Sequence, residues 1–177
     1  MRNRLAKLSK LIEKWPLAPL EVAALVASVA EALEHAHRRG VVHGRLTPRA
    51  ISVSPGVRPM QVFVGDWAQA PGEHRHADPR TDLRALGVVA YQALYGSFPV
   101  AGASIVFPRG VPDAALALVR WLLTAQVVPT AAEVRLVALD VQAALALDEQ
   151  VEELADDMIE ILEDVAFSAS SDAAQVA

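Results

Sequence analysis

The chain has 177 residues, 53% of them apolar and only 5% aromatic, with a formal net charge of −5; this length supports one well-buried domain and is marginal for two. Its lack of cysteine excludes disulfides, thiolate nucleophiles and Cys-ligated zinc or iron–sulfur centres, and fits a reducing cytoplasm. No stretch reaches 18 uninterrupted apolar residues, and Arg2 and Arg4 run into Lys7, Lys10, Glu13 and Lys14 where a leader needs its apolar core, so neither a membrane span nor a signal peptide is expected.

Leu5, Leu8, Ile12 and Trp15 recur at helical spacing, which predicts a short basic amphipathic helix over 3–15 ended by Pro16. Val22, Leu25, Val26, Val29 and Leu33 mark one face of a longer helix from about 19 to 38, stopped by Gly40. His35 and His37 fall at its end, where a cation suits the helix dipole. The polar turn in "VVHGRLTPRAISV" follows directly. "AISVS" and "MQVFVGD" then read as two short strands, and the "PGVRP" between them suits a hairpin.

The loop "APGEHRHADPR" brings Glu73, His74, His76 and Asp78 together, but adjacent ligands on an unanchored loop are ordinarily solvated, and no metal is expected there. "TDLRALGVVAYQALYG" is apolar on nearly every side, which predicts a helix buried all round, ended by Gly96 and Pro99. Residues 113–125 give another helix, and "PTAAEV" opens a further one with Thr130 and Glu133 as a capping box. A final helix is predicted over about 148–166. It carries Val151, Leu154, Met158, Ile161, Leu162 and Val165 as an apolar seam. Residues 148–177 hold ten acids and no Lys or Arg, which leaves the remainder at net +5. The tail 167–177 is too poor in apolar residues to be expected to order itself.

Helix, His-containing loop, hairpin, Asp-containing turn, then a buried helix with an early Asp: this order resembles the C-terminal lobe of a protein kinase. "EHAHRRGVVHGRLTPRAISV" resembles the end of the family's helix E and its catalytic loop, whose signature is His-Arg-Asp-Leu-x-x-x-Asn. "VFVGDWAQA" resembles the strand ending in Asp-Phe-Gly, and "RTDLRALGVVAYQALYGSFP" resembles helix F, in which Asp82 takes the position of the Asp that tethers the catalytic-loop backbone. The resemblance covers roughly 3–146. It implies a packing role for His43 under the loop.

The same resemblance implies that chemistry is degenerate here. Arg45 stands at the position of the loop Asp, and a guanidinium has no acceptor lone pair with which to take a substrate proton. Thr47 replaces a phosphate-contacting Lys, and Ala50, at the position of the metal-binding Asn, has no oxygen to give. Asp66 remains at the magnesium-binding Asp, followed by Trp67 and Ala68. Val128 replaces the Arg that closes a buried ion pair in the family. The chain begins where the family's hinge lies, so the glycine-rich loop and the other N-lobe parts of an ATP pocket are not expected. Arg45 and Asp66 occupy positions facing each other across the family's cleft, and an ion pair between them is expected.

The expected fold is therefore mainly α: a kinase-like C-lobe over 1–146, with a basic helix in 1–15, a helix E-like segment 19–39, a degenerate loop 43–50 and a central helix 81–95. An acidic amphipathic helix follows over 147–166. The function expected is that of a non-enzymatic pseudokinase, a scaffold or regulatory module without cofactor or metal. The alternatives are a nucleotide-binding half of a split kinase-like assembly, or a fragment of a longer bacterial-type serine/threonine kinase-like protein. The expected partner is a protein, or a second copy, met through the terminal amphipathic helices; the single short basic cluster speaks against nucleic acid.

Overall fold

A computed structural model describes residues 5–54, 60–67, 78–99 and 110–175, with the side chains of 163–175 outside the described set. Among the described residues, five helices accompany a small three-stranded antiparallel sheet. In chain order they are β1 (Ala6–Lys7), α1 (Leu8–Ile12), α2 (Pro19–His37), β2 (Ile51–Val53), β3 (Val62–Val64), α3 (Arg80–Tyr95), α4 (Asp113–Thr124) and α5 (Ala131–Gln175).

α2 starts where Pro19 supplies a preset φ and the Ala18 N–H donates to Glu21 Oε2 at 3.0 Å. It ends where the Arg39 guanidinium caps the His35 carbonyl at 3.0 Å and Gly40 turns the chain at φ 72°. Its apolar face, with Val22, Leu25, Val26, Val29 and Leu33 all at 1% exposure or less, is the wall of the core. Burying each such side chain contributes about 1.5–3 kcal/mol before the entropy of ordering is subtracted. The first half of α5 packs along α2 through Ala131, Val134, Ala138 and Leu145, and Arg135 Nε donates to Glu34 Oε2 across the junction at 3.0 Å.

α3 is buried over ten of its sixteen residues, as its apolar composition implies. Gly87 lets α4 approach, because a Cβ there would lie 2.9 Å from Leu122 Cβ and 3.1 Å from its carbonyl carbon. Gly96, at φ 70°, closes the helix by donating to the Gln92 carbonyl at 2.8 Å.

The predicted hairpin is present as an antiparallel pair, Ile51 opposite Val64 and Val53 opposite Val62, and its connecting turn lies outside the described residues. Three expectations need correction. The helix of 3–15 is shorter and preceded by a strand: Ala6 and Lys7 pair with Val53 and Ser52, and only Leu8–Ile12 is helical. The free edge of β2 offers those backbone groups partners that a helix end would leave to water. Leu8 and Ile12 are buried one turn apart as read, whereas Leu5 and Trp15 are exposed. The acidic segment is not a separate helix but the continuation of α5, since no glycine or proline interrupts 131–177. For the same reason the tail expected to lack order stays helical to Gln175.

Candidate functional site

The loop of residues 43–50 is held from below by one buried carboxylate. Asp82, 1% exposed in the first turn of α3, accepts the His43 N–H on Oδ2 at 2.8 Å and the Gly44 N–H on Oδ1 at 2.8 Å. His37 Nε2 donates to the same Oδ2 at 2.9 Å. Three donors offset the cost of taking a carboxylate out of water, and they fix three segments to one another. Gly44 makes the bend possible at φ 73°.

His43 is fully buried and its two ring nitrogens have opposite duties. The Gly65 carbonyl can only accept, so Nε2 carries the hydrogen and donates at 2.9 Å. The Arg45 N–H can only donate, so Nδ1 accepts, at 3.3 Å. With both nitrogens engaged, the imidazole braces the loop against the strand end and has no lone pair left for a substrate. Its ring meets Trp67, centroids 4.8 Å apart and tilted 50°, and Trp67 Nε1 donates to the Val64 carbonyl at 2.8 Å. The Gly65 N–H returns to the Ala50 carbonyl at 2.8 Å, which closes the circuit between loop and strand.

Above this frame, Arg45, Thr47 and Asp66 are exposed, while Ala50 is buried. The expected Arg45–Asp66 ion pair is absent. Lys7 Nζ stands 3.8 Å from Asp66 Oδ2 instead, because β1 pairs with β2 in a register that brings Lys7 towards the end of the sheet at which β3 finishes. The Asp66 side chain is 71% exposed, so the pair is worth at most about 1 kcal/mol. Asp66 itself sits at φ 56°, a left-handed conformation that turns the chain out of β3.

Two site residues were not legible in the sequence. Lys7 reads as one more cation on a helix, and nothing local signals the strand pairing. His37 reads as a helix-end cation, yet it is a ligand of Asp82; its position six residues before His43 was the available signal. Val128 sits partly buried against the core among apolar neighbours. Of the loop cluster, Glu73, His74 and His76 lie outside the described residues, and Asp78 caps α3 by accepting the Arg80 N–H at 2.9 Å. The seam residues Val151, Leu154, Met158, Ile161 and Leu162 are all exposed, and the Val165 side chain lies outside the described set.

No family model matches the chain. Over 110 residues it is 33% identical to the serine/threonine-protein kinase Pkn1 of Myxococcus xanthus, covering 48% of this chain and 16% of that protein. Over 115 residues it is 31% identical to the serine/threonine-protein kinase PknL of Mycobacterium tuberculosis, covering 53% of this chain and 29% of that protein. The chain thus spans less than a third of the length of these relatives. Among solved structures, the Rad53 kinase domain superposes with a TM-score of 0.61 at 16% identity, covering 73% of this chain and 59% of that one.

These relatives correct one expectation. The loop residues alone imply a non-enzyme, whereas the proteins that the chain resembles are named serine/threonine kinases. The physical reason is one of scope: Arg45 and Ala50 describe a single loop, and phosphotransfer is the work of a whole domain of which the matched segment is a part. No helix among the described residues is long and apolar enough to cross a membrane.

Proposed function

For a chain related to serine/threonine protein kinases and folded like their C-terminal lobe, we propose the role of a protein-interaction or regulatory module. It acts in the cytoplasm, a compartment that suits a chain without cysteine. The lobe provides a rigid platform, and α5 makes the contact. One observation carries this reading: every residue from 147 to 162 is exposed, including an apolar seam whose members Val151, Leu154, Met158, Ile161 and Leu162 are 57% to 63% accessible. A seam of that kind on a free helix contributes no stability to its own lobe, and its use lies in contact with something else. Substituting Leu154→Asn and Ile161→Asn should leave the melting temperature of the full chain unchanged and abolish its cross-linking to protein partners in the cell. Undiminished cross-linking would reject this reading.

A second reading is favoured by the partial span of the relatives, in which the lobe works as one part of a longer or split serine/threonine kinase-like assembly. Calorimetric titration with ATP and magnesium, on the chain alone and with candidate N-lobe chains, tests it. Micromolar binding supports it, and no heat in any combination counts against it.

A further inference from the structure

Beyond residue 146 the seam is regular. Leu147, Val151, Leu154, Met158, Ile161 and Val165 follow one another at spacings of 4, 3, 4, 3 and 4, the alternation that keeps one stripe facing a partner helix. The helix carrying it runs to Gln175, roughly 43 Å past the lobe at 1.5 Å per residue. Around that stripe, residues 148–164 hold nine acids and no Lys or Arg. Glu149 and Glu153, Glu152 and Asp156, and Asp156 and Glu160 stand four apart, a spacing at which like charges destabilise a lone helix.

Charge and periodicity together select the occupant. A second copy would match the seam but would bring no cation to it: the heptad positions that flank the stripe hold Asp148, Asp157 and Asp164 and no Lys or Arg, while the other six acids fall on the outer face. The basic α1 has no apolar face to lend, because Leu8 and Ile12 are already inside the core at 0% and 7% exposure. What remains complementary is a helix with an apolar stripe and cationic flanks, whose Lys or Arg stems cover the edges of the seam while their heads meet the carboxylates. Resting on the interaction-module reading above, we infer that the projecting half of α5 is a docking site for a Lys/Arg-rich amphipathic helix of another protein.

The test uses the full chain and two synthetic peptides of one composition, rich in Lys and Leu. One has Leu at a and d positions of three heptads and Lys at the flanks; the other is scrambled to remove the period. The heptad peptide should bind one to one, at least about tenfold more tightly than the scrambled one, and weaken steeply between 50 and 500 mM salt. Leu154→Asn with Ile161→Asn should remove that preference, and Asp148→Lys with Asp157→Lys should weaken binding. Equal affinity for both peptides would overturn the inference by reducing it to bulk charge. A neutral-pH dimer, dissociated by the seam substitutions, would also overturn it while leaving the interaction-module reading intact. Neither binding nor dimerisation would sink both.

Discussion

Asp82 Oδ2 lies 2.8 Å from the main-chain nitrogen of His43, and this bond joins residues 39 apart in sequence inside a nearly water-free site. Because the same carboxylate also accepts from Gly44 and His37, the shape of the loop depends on one side chain. Asp82→Asn keeps the volume but replaces one accepting oxygen with an NH2 that faces donors. The expected loss is about 3 kcal/mol in chemical denaturation, with His37→Ala smaller, about 1–2 kcal/mol. A loss for Asp82→Asn within experimental error would show that the loop holds itself.

Gly87→Ala sets two effects in opposition. Alanine favours the helix by up to about 1 kcal/mol. Against this, its methyl would stand 2.9 Å from Leu122 Cβ and 3.1 Å from Leu122 main chain, and backbone cannot swing aside as a flexible side chain can. Overpacking of that kind costs about 1–3 kcal/mol, so the melting temperature should fall. A rise would mean that α3 and α4 are not in close contact.

The capping box at the start of α5 makes stability depend on acid. The Thr130 N–H and hydroxyl both donate to Glu133 Oε2, at 2.7 and 2.9 Å, and these bonds lower the carboxyl's pKa from its ordinary 4.5. A group whose folded pKa is lowered contributes stability above its unfolded pKa and loses it as pH falls through the folded value. Glu133→Gln should therefore flatten the decline of stability with pH below about 4.5 relative to the unaltered chain. Parallel urea midpoints for the two proteins at pH 7 and pH 3.5 would decide it; an unchanged slope counts against the cap.

The same substitution at two leucines should separate the two halves of the structure. Leu33→Ala empties a site that is fully buried between helices and should cost about 2–5 kcal/mol. Leu154, 63% exposed on the projecting helix, should tolerate the change within about 0.5 kcal/mol. Removing residues 147–177 should likewise leave the unfolding midpoint of the lobe unchanged, measured by calorimetry.

Much of the fold was legible because much of it is local. The positions of α2, α3 and α4 follow from the apolar period with Pro19, Gly40, Gly96 and Pro112 as punctuation, and Thr130 and Glu133 mark the start of α5 through a bond spanning three residues. The single long α5 was also written in the sequence, in the lack of any glycine or proline after residue 130. A change of composition at residue 147 obscured it, although composition alone does not end a helix. The loop was recognisable from its residues, and the expectation of a non-enzyme that rested on them reached further than one loop allows.

What the sequence by itself determined is the helical frame, the loop with its His43, and the separation of a basic lobe from an acidic extension, since each rests on residues near one another along the chain. Only the tertiary structure decided which charges meet. Lys7 reaches Asp66 because a two-residue strand finds the open edge of β2, and His37 joins His43 and Gly44 on Asp82 because α2 and α3 pack there. Such partners are fixed by backbone pairing and close packing across tens of residues, and no periodicity in the chain encodes them.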